Sequence, residues 1–226
     1  MLMEQARKEI SEYGKLLIEK GLTEGTSGNL SIYDPQSRLM AISPSGIPYE
    51  EIRPEDVTVM DLQGNIIDGI RKPSSEHGLH SAVYRVRGDA AAVVHAHPVY
   101  CTTLACMGSP LEAVHYAIAE AGSVMMPLVR YETFGTPELA AAVEEKIGSS
   151  RGLLLANHGM LACGGSMKEA FGLTRTMEWC AQIQWRCMCA GGPRILSAEQ
   201  MEKAVERYRN YGQQEAGAKS PRGYYA

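Results

Sequence analysis

The segment AAVVHAH, residues 91–97, constrains the fold of this chain more than any other part of the sequence. It is short, apolar and rich in β-branched residues, which is typical of a buried β-strand. Because side chains alternate between the two faces of a strand, His95 and His97 point to the same side of the sheet. Two imidazoles at this spacing suit a zinc ion, whose tetrahedral site needs another ligand from elsewhere in the chain.

A third histidine, His158, is the candidate for that ligand. It lies in the turn NHG directly after the apolar run LLLA, at the rim of the predicted sheet. An HxH pair alone is more often two core or edge histidines, but His158 and the carboxylate of Glu76 in KPSSEH favour a three-histidine metal site. Three neutral imidazoles leave zinc its full double charge as a Lewis acid, and a nearby carboxylate can move protons. The remaining histidines are interpreted as structural or solvent-facing: His77, His80 and His115.

Length and composition favour one soluble domain with a sizeable core. The chain has 226 residues, 45% hydrophobic and 21% charged, and its apolar stretches are far short of the roughly 20 residues that span a bilayer. The first ten residues carry charges where a secretory signal is apolar, which predicts a cytoplasmic protein. The 22 basic residues are scattered among 26 acidic ones, which argues against nucleic acid as a partner. Six cysteines without CxxC pairs fit a reducing compartment.

The hydrophobic pattern predicts strands alternating with helices, without repeats or linkers. Strands are expected near residues 29–33, 39–43 and 57–62, within 91–97, and on both sides of the turn in LLLANHGMLAC. Helices are expected over 4–20, 76–86, from Pro98, near 137–147, and over 167–190 and 197–211. We therefore predict one domain over residues 1–211 and a loosely held tail over 212–226.

Three loops combine glycine with small polar residues: TSGNLS at 26–31, SPSG at 43–46 and PSSE at 73–76. Glycine lets backbone N–H groups approach an anion closely, and Ser, Thr and Asn add further donors. Any one of these loops alone is more often an ordinary turn, but together they could hold a phosphate. Neither GxGxxG nor GxxxxGK[ST] is present, so a dinucleotide or nucleoside triphosphate is not indicated.

Taken in order, these motifs resemble the zinc-dependent class II aldolases of the L-fuculose-1-phosphate aldolase and L-ribulose-5-phosphate 4-epimerase group. Order, spacing and residue identity agree over most of the chain. The motifs are GLTEGTSGNLS, ISPSGIPYE, KPSSE, VVHAHPVY, VHYAIAEAG, YETFGTPEL, LLLANHGMLAC and RYRNYG. The resemblance implies an α/β (α+β) fold, a three-layer sandwich whose largely antiparallel central sheet is flanked by helices on both faces. It also implies a homotetramer with active sites at the subunit interfaces.

The resemblance assigns roles to individual residues. His95, His97 and His158 would bind one Zn²⁺ per subunit, with Mn²⁺, Co²⁺ or Fe²⁺ as substitutes. Glu76 would be the acid/base carboxylate and would also touch the metal when no substrate is present. Tyr116 would reach into the adjacent subunit's site and donate a proton to the aldehyde oxygen. The phosphate-binding positions would be Gly28, Asn29, Ser45, Gly46, Ser74 and Ser75, and the aldehyde pocket would be shaped by Phe134 and Tyr211.

The resembled group contains aldolases, epimerases and dehydratases. Glu76 favours an aldolase, because the pentose-phosphate epimerases carry Asp at this position. The predicted reaction is reversible cleavage of a ketose 1-phosphate into dihydroxyacetone phosphate and an aldehyde. Candidate substrates are L-fuculose 1-phosphate and 5-deoxy- or 5-methylthio-ribulose 1-phosphate. The open alternatives are a methylthioribulose-1-phosphate dehydratase, a pentose-phosphate 4-epimerase, or a metal-binding member of the family without lyase activity.

Overall fold

A single eight-stranded sheet runs through the centre of the computed structural model, which describes residues 1–209. Its spatial order is β4-β3-β2-β1-β5-β8-β7-β6. All neighbouring strands pair antiparallel except β6 and β7, which are parallel. The strands are β1 (Asn29–Asp34), β2 (Leu39–Ile42), β3 (Thr58–Asp61), β4 (Ile66–Asp68), β5 (Ala92–Ala96), β6 (Leu128–Val129), β7 (Gly152–Leu155) and β8 (Gly159–Gly164).

Within residues 1–209, six α-helices cover the two faces of this sheet. They are α1 (Glu4–Glu19), α2 (His77–Val86), α3 (Val99–Cys106), α4 (Pro137–Ile147), α5 (Met167–Cys189) and α6 (Ala198–Arg209). Helices α1, α3, α5 and α6 contribute to one hydrophobic cluster, and α2 and α4 contribute to the other. The alternation within β5 divides its side chains between the clusters, with Val94 in the first and Val93 in the second. The predicted three-layer α/β architecture is confirmed.

The helix and strand boundaries lie close to those predicted from the sequence. Helix α2 begins one residue late, because Glu76 has a non-helical backbone and serves as the N-cap. Helix α4 begins as expected for Thr-Pro, since the Thr136 hydroxyl accepts a hydrogen bond from the N–H of Leu139. Tyr211 and the predicted tail over 212–226 lie outside the described residues. Among residues 1–209, no helix combines the length and apolarity needed to cross a bilayer.

The buried face of α1 contains a charged residue that its amphipathic pattern does not reveal. The structure buries Ile10 and Leu17 as expected, but it also buries Arg7 almost completely. The guanidinium donates to the carbonyls of Leu2 and Val57 and forms a 2.6 Å ion pair with Asp68 at the end of β4. Arg7 therefore joins the first helix to the outer strands of the sheet, and its hydrogen bonds compensate for its loss of hydration.

We expect Arg7→Ala to lower the free energy of unfolding by about 2–4 kcal/mol, because it leaves buried carbonyls unpaired and opens a cavity. Urea denaturation followed by circular dichroism measures this change. The matched control is Arg85→Ala, whose ion pair with Glu144 is exposed on both sides and is worth at most about 1 kcal/mol. Equal losses in the two variants would contradict the structural role of Arg7.

Candidate functional site

The three predicted metal ligands meet where β5 ends and β8 begins. His95 is in β5, His97 follows that strand, and His158 lies in the turn between β7 and β8. The antiparallel register pairs Ala96 with Met160, so the turn lies beside the end of β5. One nitrogen from each histidine ring lies within 4.8 Å of the others. The sheet thus brings together side chains separated by about sixty positions in the sequence. This is the arrangement predicted from the motifs VVHAH and LLLANHG.

The distances among these groups fit a small divalent cation. His95 Nε2 and His97 Nε2 are 2.9 Å apart. Glu76 lies across from them, with Oε2 3.3 Å from His95 Nε2 and Oε1 3.4 Å from His158 Nε2. Zinc–nitrogen bonds of about 2.0–2.1 Å in a tetrahedron place neighbouring donor atoms about 3.3 Å apart. The cluster is therefore close to the size that zinc requires.

The protonation of the histidines also suits a metal. Nδ1 of His95 lies 2.8 Å from the carbonyl oxygen of Met160 and donates to it, so Nε2 is the ring nitrogen that faces the cluster. Burial, together with the nearby His95, lowers the pKa of His97 to about 3 and that of His158 to about 4. The imidazoles of His97 and His158 are therefore neutral at pH 7, which is the form that binds metal ions.

Glu76 carries the negative charge of the site. Burial alone would raise its pKa, but hydrogen bonding and charge interaction with His95, together with His158 and Asn29, lower it to about 2. The carboxylate is therefore ionised at neutral pH. Its Oε2 accepts a 3.0 Å hydrogen bond from the Asn29 amide, whereas Oε1 is buried and has no hydrogen-bond partner within residues 1–209. An unpaired buried carboxylate oxygen beside three imidazoles is a donor atom well suited to a cation.

The three polar loops identified in the sequence converge beside this cluster. An antiparallel bridge joins Pro44 to Pro73, so the SPSG and PSSE loops lie next to each other. The bridge is flanked by hydrogen bonds from Ser45 N to the Lys72 carbonyl and from Ser74 N to the Ser43 carbonyl. The remaining predicted phosphate-binding residues lie in or beside these loops or at the start of β1: Gly28, Asn29, Gly46 and Ser75. Asn29 connects this region to the cluster through Glu76.

Two glycines allow the backbone to pack against the histidine-bearing strand. Gly28 has a left-handed φ of +78°, and a Cβ atom there would lie 2.7 Å from the carbonyl oxygen of His95. A Cβ atom on Gly159 would lie 2.6 Å from the carbonyl oxygen of Ala96 and would also overlap the ring of His97. Real Cβ atoms do not approach backbone that closely, so both positions require glycine.

Two of the residues predicted to act on the aldehyde are exposed aromatic side chains in the single chain. Tyr116 begins a short 3₁₀ helix, Tyr116–Ala121, and its ring is 57% exposed and packs near His115 and Tyr208. Phe134 is 66% exposed. Within the described residues, neither ring packs against the three histidines. The roles of Tyr116, Phe134 and Tyr211 stay predictions, and for Tyr116 the predicted role is in the site of an adjacent subunit.

The sequence analysis did not identify the buried polar residues that contact Asn29 and, through it, Glu76. His80 is fully buried, with Nε2 2.5 Å from Asn29 Oδ1 and Nδ1 2.6 Å from Ser31 Oγ. His80 lies four residues after Glu76, about one helical turn, but this spacing alone does not distinguish a supporting histidine from a packing residue. Burial lowers the pKa of His80 to about 3.

Several known proteins are similar to this chain in sequence and in architecture. A family model described as the class II aldolase and adducin N-terminal domain matches residues 8–185. A 5-deoxy-D-ribulose 1-phosphate aldolase of Bacillus thuringiensis serovar kurstaki is 46% identical over 217 residues, covering 95% of this chain and 100% of the relative. A 5-methylthioribulose-1-phosphate/5-deoxyribulose-1-phosphate aldolase of Rhodospirillum rubrum is 40% identical, covering 85% of this chain and 86% of the relative. A solved L-fuculose 1-phosphate aldolase superposes with a TM-score of 0.90 at 42% identity, covering 92% of this chain and 98% of the other.

We expect Gly28→Ala to displace β5 and to weaken metal binding at least about tenfold, since misplaced ligand supports typically cost that much. Titration with Zn²⁺ against a competing chelator measures the change. The control is Gly25→Ala, because Gly25 has a similar φ of +60° but nothing within 4 Å of the added atom. That variant should lose only about 1–2 kcal/mol of stability, because alanine is strained in the left-handed backbone conformation. Its metal affinity should be unchanged.

In the presence of a chelator, we expect stability to fall as the pH drops from 6.5 to 4.5. The folded-state pKa values of His80, His97 and His158 lie below the ordinary value of 6.5, so the unfolded chain binds these protons first. The loss approaches about 1.4 kcal/mol per pH unit for each histidine. Glu76, with its lowered pKa, adds a further loss only below its ordinary value of 4.5. Urea denaturation at half-unit intervals tests this, and a flat profile would contradict it.

Proposed function

The chain belongs to the class II aldolase and adducin N-terminal domain family, and we propose that it is a metal-dependent aldolase that reversibly cleaves a ketose 1-phosphate. The observation that carries the proposal is the convergence of three imidazole nitrogens and an ionised carboxylate beside a group of glycine-containing polar loops. This arrangement supplies a cation site, a proton-transfer group and an anion site within one region. The names of the relatives support the same reaction class.

We propose Zn²⁺ as the metal, with Mn²⁺, Co²⁺ or Fe²⁺ as substitutes. His95, His97 and His158 would hold it, and Glu76 would be a further ligand when no substrate is bound. Neutral imidazoles and a carboxylate are a donor set that zinc accepts readily. When bound, such a metal stabilises negative charge on the ketone and adjacent hydroxyl oxygens of a sugar.

The proposed proton transfers fall to residues of the chain itself. In the direction of bond formation, the Glu76 carboxylate accepts a proton from the hydroxymethyl carbon of dihydroxyacetone phosphate, and that carbon bonds to the aldehyde carbon. Tyr116 of a neighbouring subunit donates a proton to the aldehyde oxygen, which becomes a hydroxyl. In cleavage each proton returns by the reverse route, and Glu76 re-protonates the dihydroxyacetone phosphate carbon. The low pKa of Glu76 keeps it ready to accept a proton at neutral pH.

Substrate orientation is proposed to come from the loops. Gly28, Ser45 and Gly46 lie in segments where backbone and hydroxyl donors can bind phosphate oxygens without a cationic side chain. Asn29 keeps one amide hydrogen beyond the one it donates to Glu76, so it can contact the phosphate as well. The rest of the proposed phosphate site is Ser74 and Ser75, and Phe134 and Tyr211 are proposed to shape the aldehyde pocket.

For the physiological substrate we favour a 5-deoxypentulose 1-phosphate. The relative from Bacillus thuringiensis that is named for this sugar matches along its whole length. L-Fuculose 1-phosphate and 5-methylthioribulose 1-phosphate differ from it only beyond the reacting carbons. An apolar pocket discriminates a small added group, whether a methylene or a hydroxyl, by only about 1–3 kcal/mol, so activity on more than one of these sugars is expected.

The proposed assembly is a cytoplasmic homotetramer built from one domain over residues 1–211. The exposure of Tyr116 and Phe134 in the single chain supports an active site completed by a neighbouring subunit. The epimerase alternative is weakened by Glu76, because the pentose-phosphate epimerases carry Asp at this position. The dehydratases also use a Glu, and that alternative is weakened instead by the motifs HYAIAEAG and YETFGTPEL, which look more like those of the aldolases.

The decisive test pairs two variants with removal of the metal. His97→Ala should lose bound zinc and activity, because it deletes a ligand, and a chelator should inactivate the native enzyme reversibly. Glu76→Gln should keep zinc through the three histidines and lose at least about a hundredfold in kcat, the scale of one general acid–base group. Metal analysis and a coupled assay for dihydroxyacetone phosphate provide the readouts. His77→Gln, on the same helix but outside the site, is the control.

Normal turnover by Glu76→Gln would overturn the proton-transfer assignment. Full activity in a metal-free preparation would overturn the proposal as a whole.

A panel of ketose 1-phosphates tests the substrate. We expect kcat/KM to be highest for 5-deoxyribulose 1-phosphate, with the 5-methylthio and fuculose sugars within about a hundredfold, the range set by small groups added beyond the reacting carbons. Product analysis separates the alternatives, because an epimerase releases no dihydroxyacetone phosphate and a dehydratase releases water. An L-fuculose preference greater than tenfold would contradict the deoxypentulose assignment.

A further inference from the structure

A buried row of hydrogen bonds runs from the core to the carboxylate of Glu76. The Tyr84 hydroxyl lies 2.7 Å from Ser31 Oγ, and Ser31 Oγ lies 2.6 Å from His80 Nδ1. His80 Nε2 lies 2.5 Å from Asn29 Oδ1, and Asn29 Nδ2 donates to Glu76 Oε2 at 3.0 Å. All five side chains are buried. The row therefore connects Tyr84 and His80 of α2 with Glu76, the N-cap of the same helix. Ser31 and Asn29 of β1 make the connections.

The chemistry of the carboxylate fixes the direction of the hydrogen bonds from Glu76 back to Ser31. An ionised carboxylate accepts hydrogen bonds only, so Asn29 must present its amide nitrogen to Glu76. Its carbonyl oxygen then faces His80, which must carry its proton on Nε2. A neutral imidazole with Nε2–H accepts at Nδ1, so Ser31 must donate its hydroxyl hydrogen to His80.

The opposite histidine tautomer disrupts this arrangement. With the proton on Nδ1, His80 would present a lone pair to Asn29, and the amide could satisfy it only by turning over. The Asn29 oxygen would then face Glu76 Oε2 at the distance now occupied by a hydrogen bond, which places two acceptors together in a buried site. The tautomer of His80 and the orientation of Asn29 are therefore coupled.

We propose that His80 is a positioning residue for catalysis: through Asn29 it keeps Oε2 of Glu76 engaged as an acceptor and leaves Oε1 to exchange the substrate proton. Oε1 is the oxygen without a hydrogen-bond partner in the described part of the chain, and it faces the cluster at His158. This inference rests on the proposed role of Glu76 in proton transfer. His80 itself touches neither the substrate nor the metal in this scheme.

The first test reads the tautomer directly, without activity. In ¹⁵N-histidine NMR spectra of the metal-free protein, His80 is expected as neutral imidazole with Nε2–H, and the signal is assigned by its loss in His80→Gln. A neutral Nδ1–H tautomer, or a protonated ring at pH 7, would overturn the proposal. This measurement stands even if other variants fold poorly.

The second test separates positioning from packing. His80→Phe keeps the ring shape but cannot donate to Asn29, and we expect kcat to fall about 10–100-fold, as for other residues that orient active-site groups. The KM should stay within about threefold, and zinc content and the circular dichroism spectrum should be unchanged. His80→Gln can place an amide N–H near the position of Nε2, so kcat should return to within about threefold of the native value. His77→Gln on the same helix is the control.

The outcomes distinguish this inference from the proposed function. If Glu76→Gln keeps full turnover, the proposed function fails first. If Glu76→Gln is inactive while His80→Phe retains native kcat, or if His80→Gln is no better than His80→Phe, the positioning role is wrong and the proposed function is untouched.

Discussion

The pairing of β5 with strands on both of its sides is the constraint on which the whole site depends. On one side, β1 places Asn29 directly opposite His95. On the other, β8 places Met160 opposite Ala96, which brings His158 beside the end of β5. Because backbone hydrogen bonds fix both registers, a shift of one residue would turn His95 to the opposite face of the sheet. The strand registers therefore bring the candidate metal ligands together, including His158 in the turn between β7 and β8.

A polar site within the sheet's own core requires compensation by hydrogen bonds. The side chains of Asn29, Ser31 and His80 are buried on the side of the sheet packed by α2, where most neighbours are aliphatic. Each of them has a hydrogen-bond partner, which limits the cost of burial. The exception is Oε1 of Glu76, which is buried without a partner among residues 1–209. Local rules of protein architecture are typically broken at functional positions, and this atom lies where reaction chemistry would be expected.

Much of this arrangement could be predicted from the sequence. The strand period placed His95 and His97 on one face, and the glycine in NHG predicted the turn that brings His158 to them. Other features depend on tertiary packing and left no local signal. Arg7 lies on the apolar face of α1 because Asp68 and two carbonyls are available to it, and the pattern of α1 alone cannot indicate these partners. His80 likewise appeared unremarkable until β1 supplied Ser31 and Asn29. The predicted role of Tyr116 depends on contacts between subunits, and these leave no pattern in the local sequence.

The central place of β5 also affects how the protein is made. Its partner β1 precedes it by about sixty residues, whereas β8 follows it by about as many. During synthesis a chain emerging from the ribosome therefore holds an apolar strand with one edge unpaired until β8 has been translated. Such an edge is a template for pairing with other chains. The nascent chain is consequently most open to pairing with other chains during the interval between translation of Ala96 and Gly164.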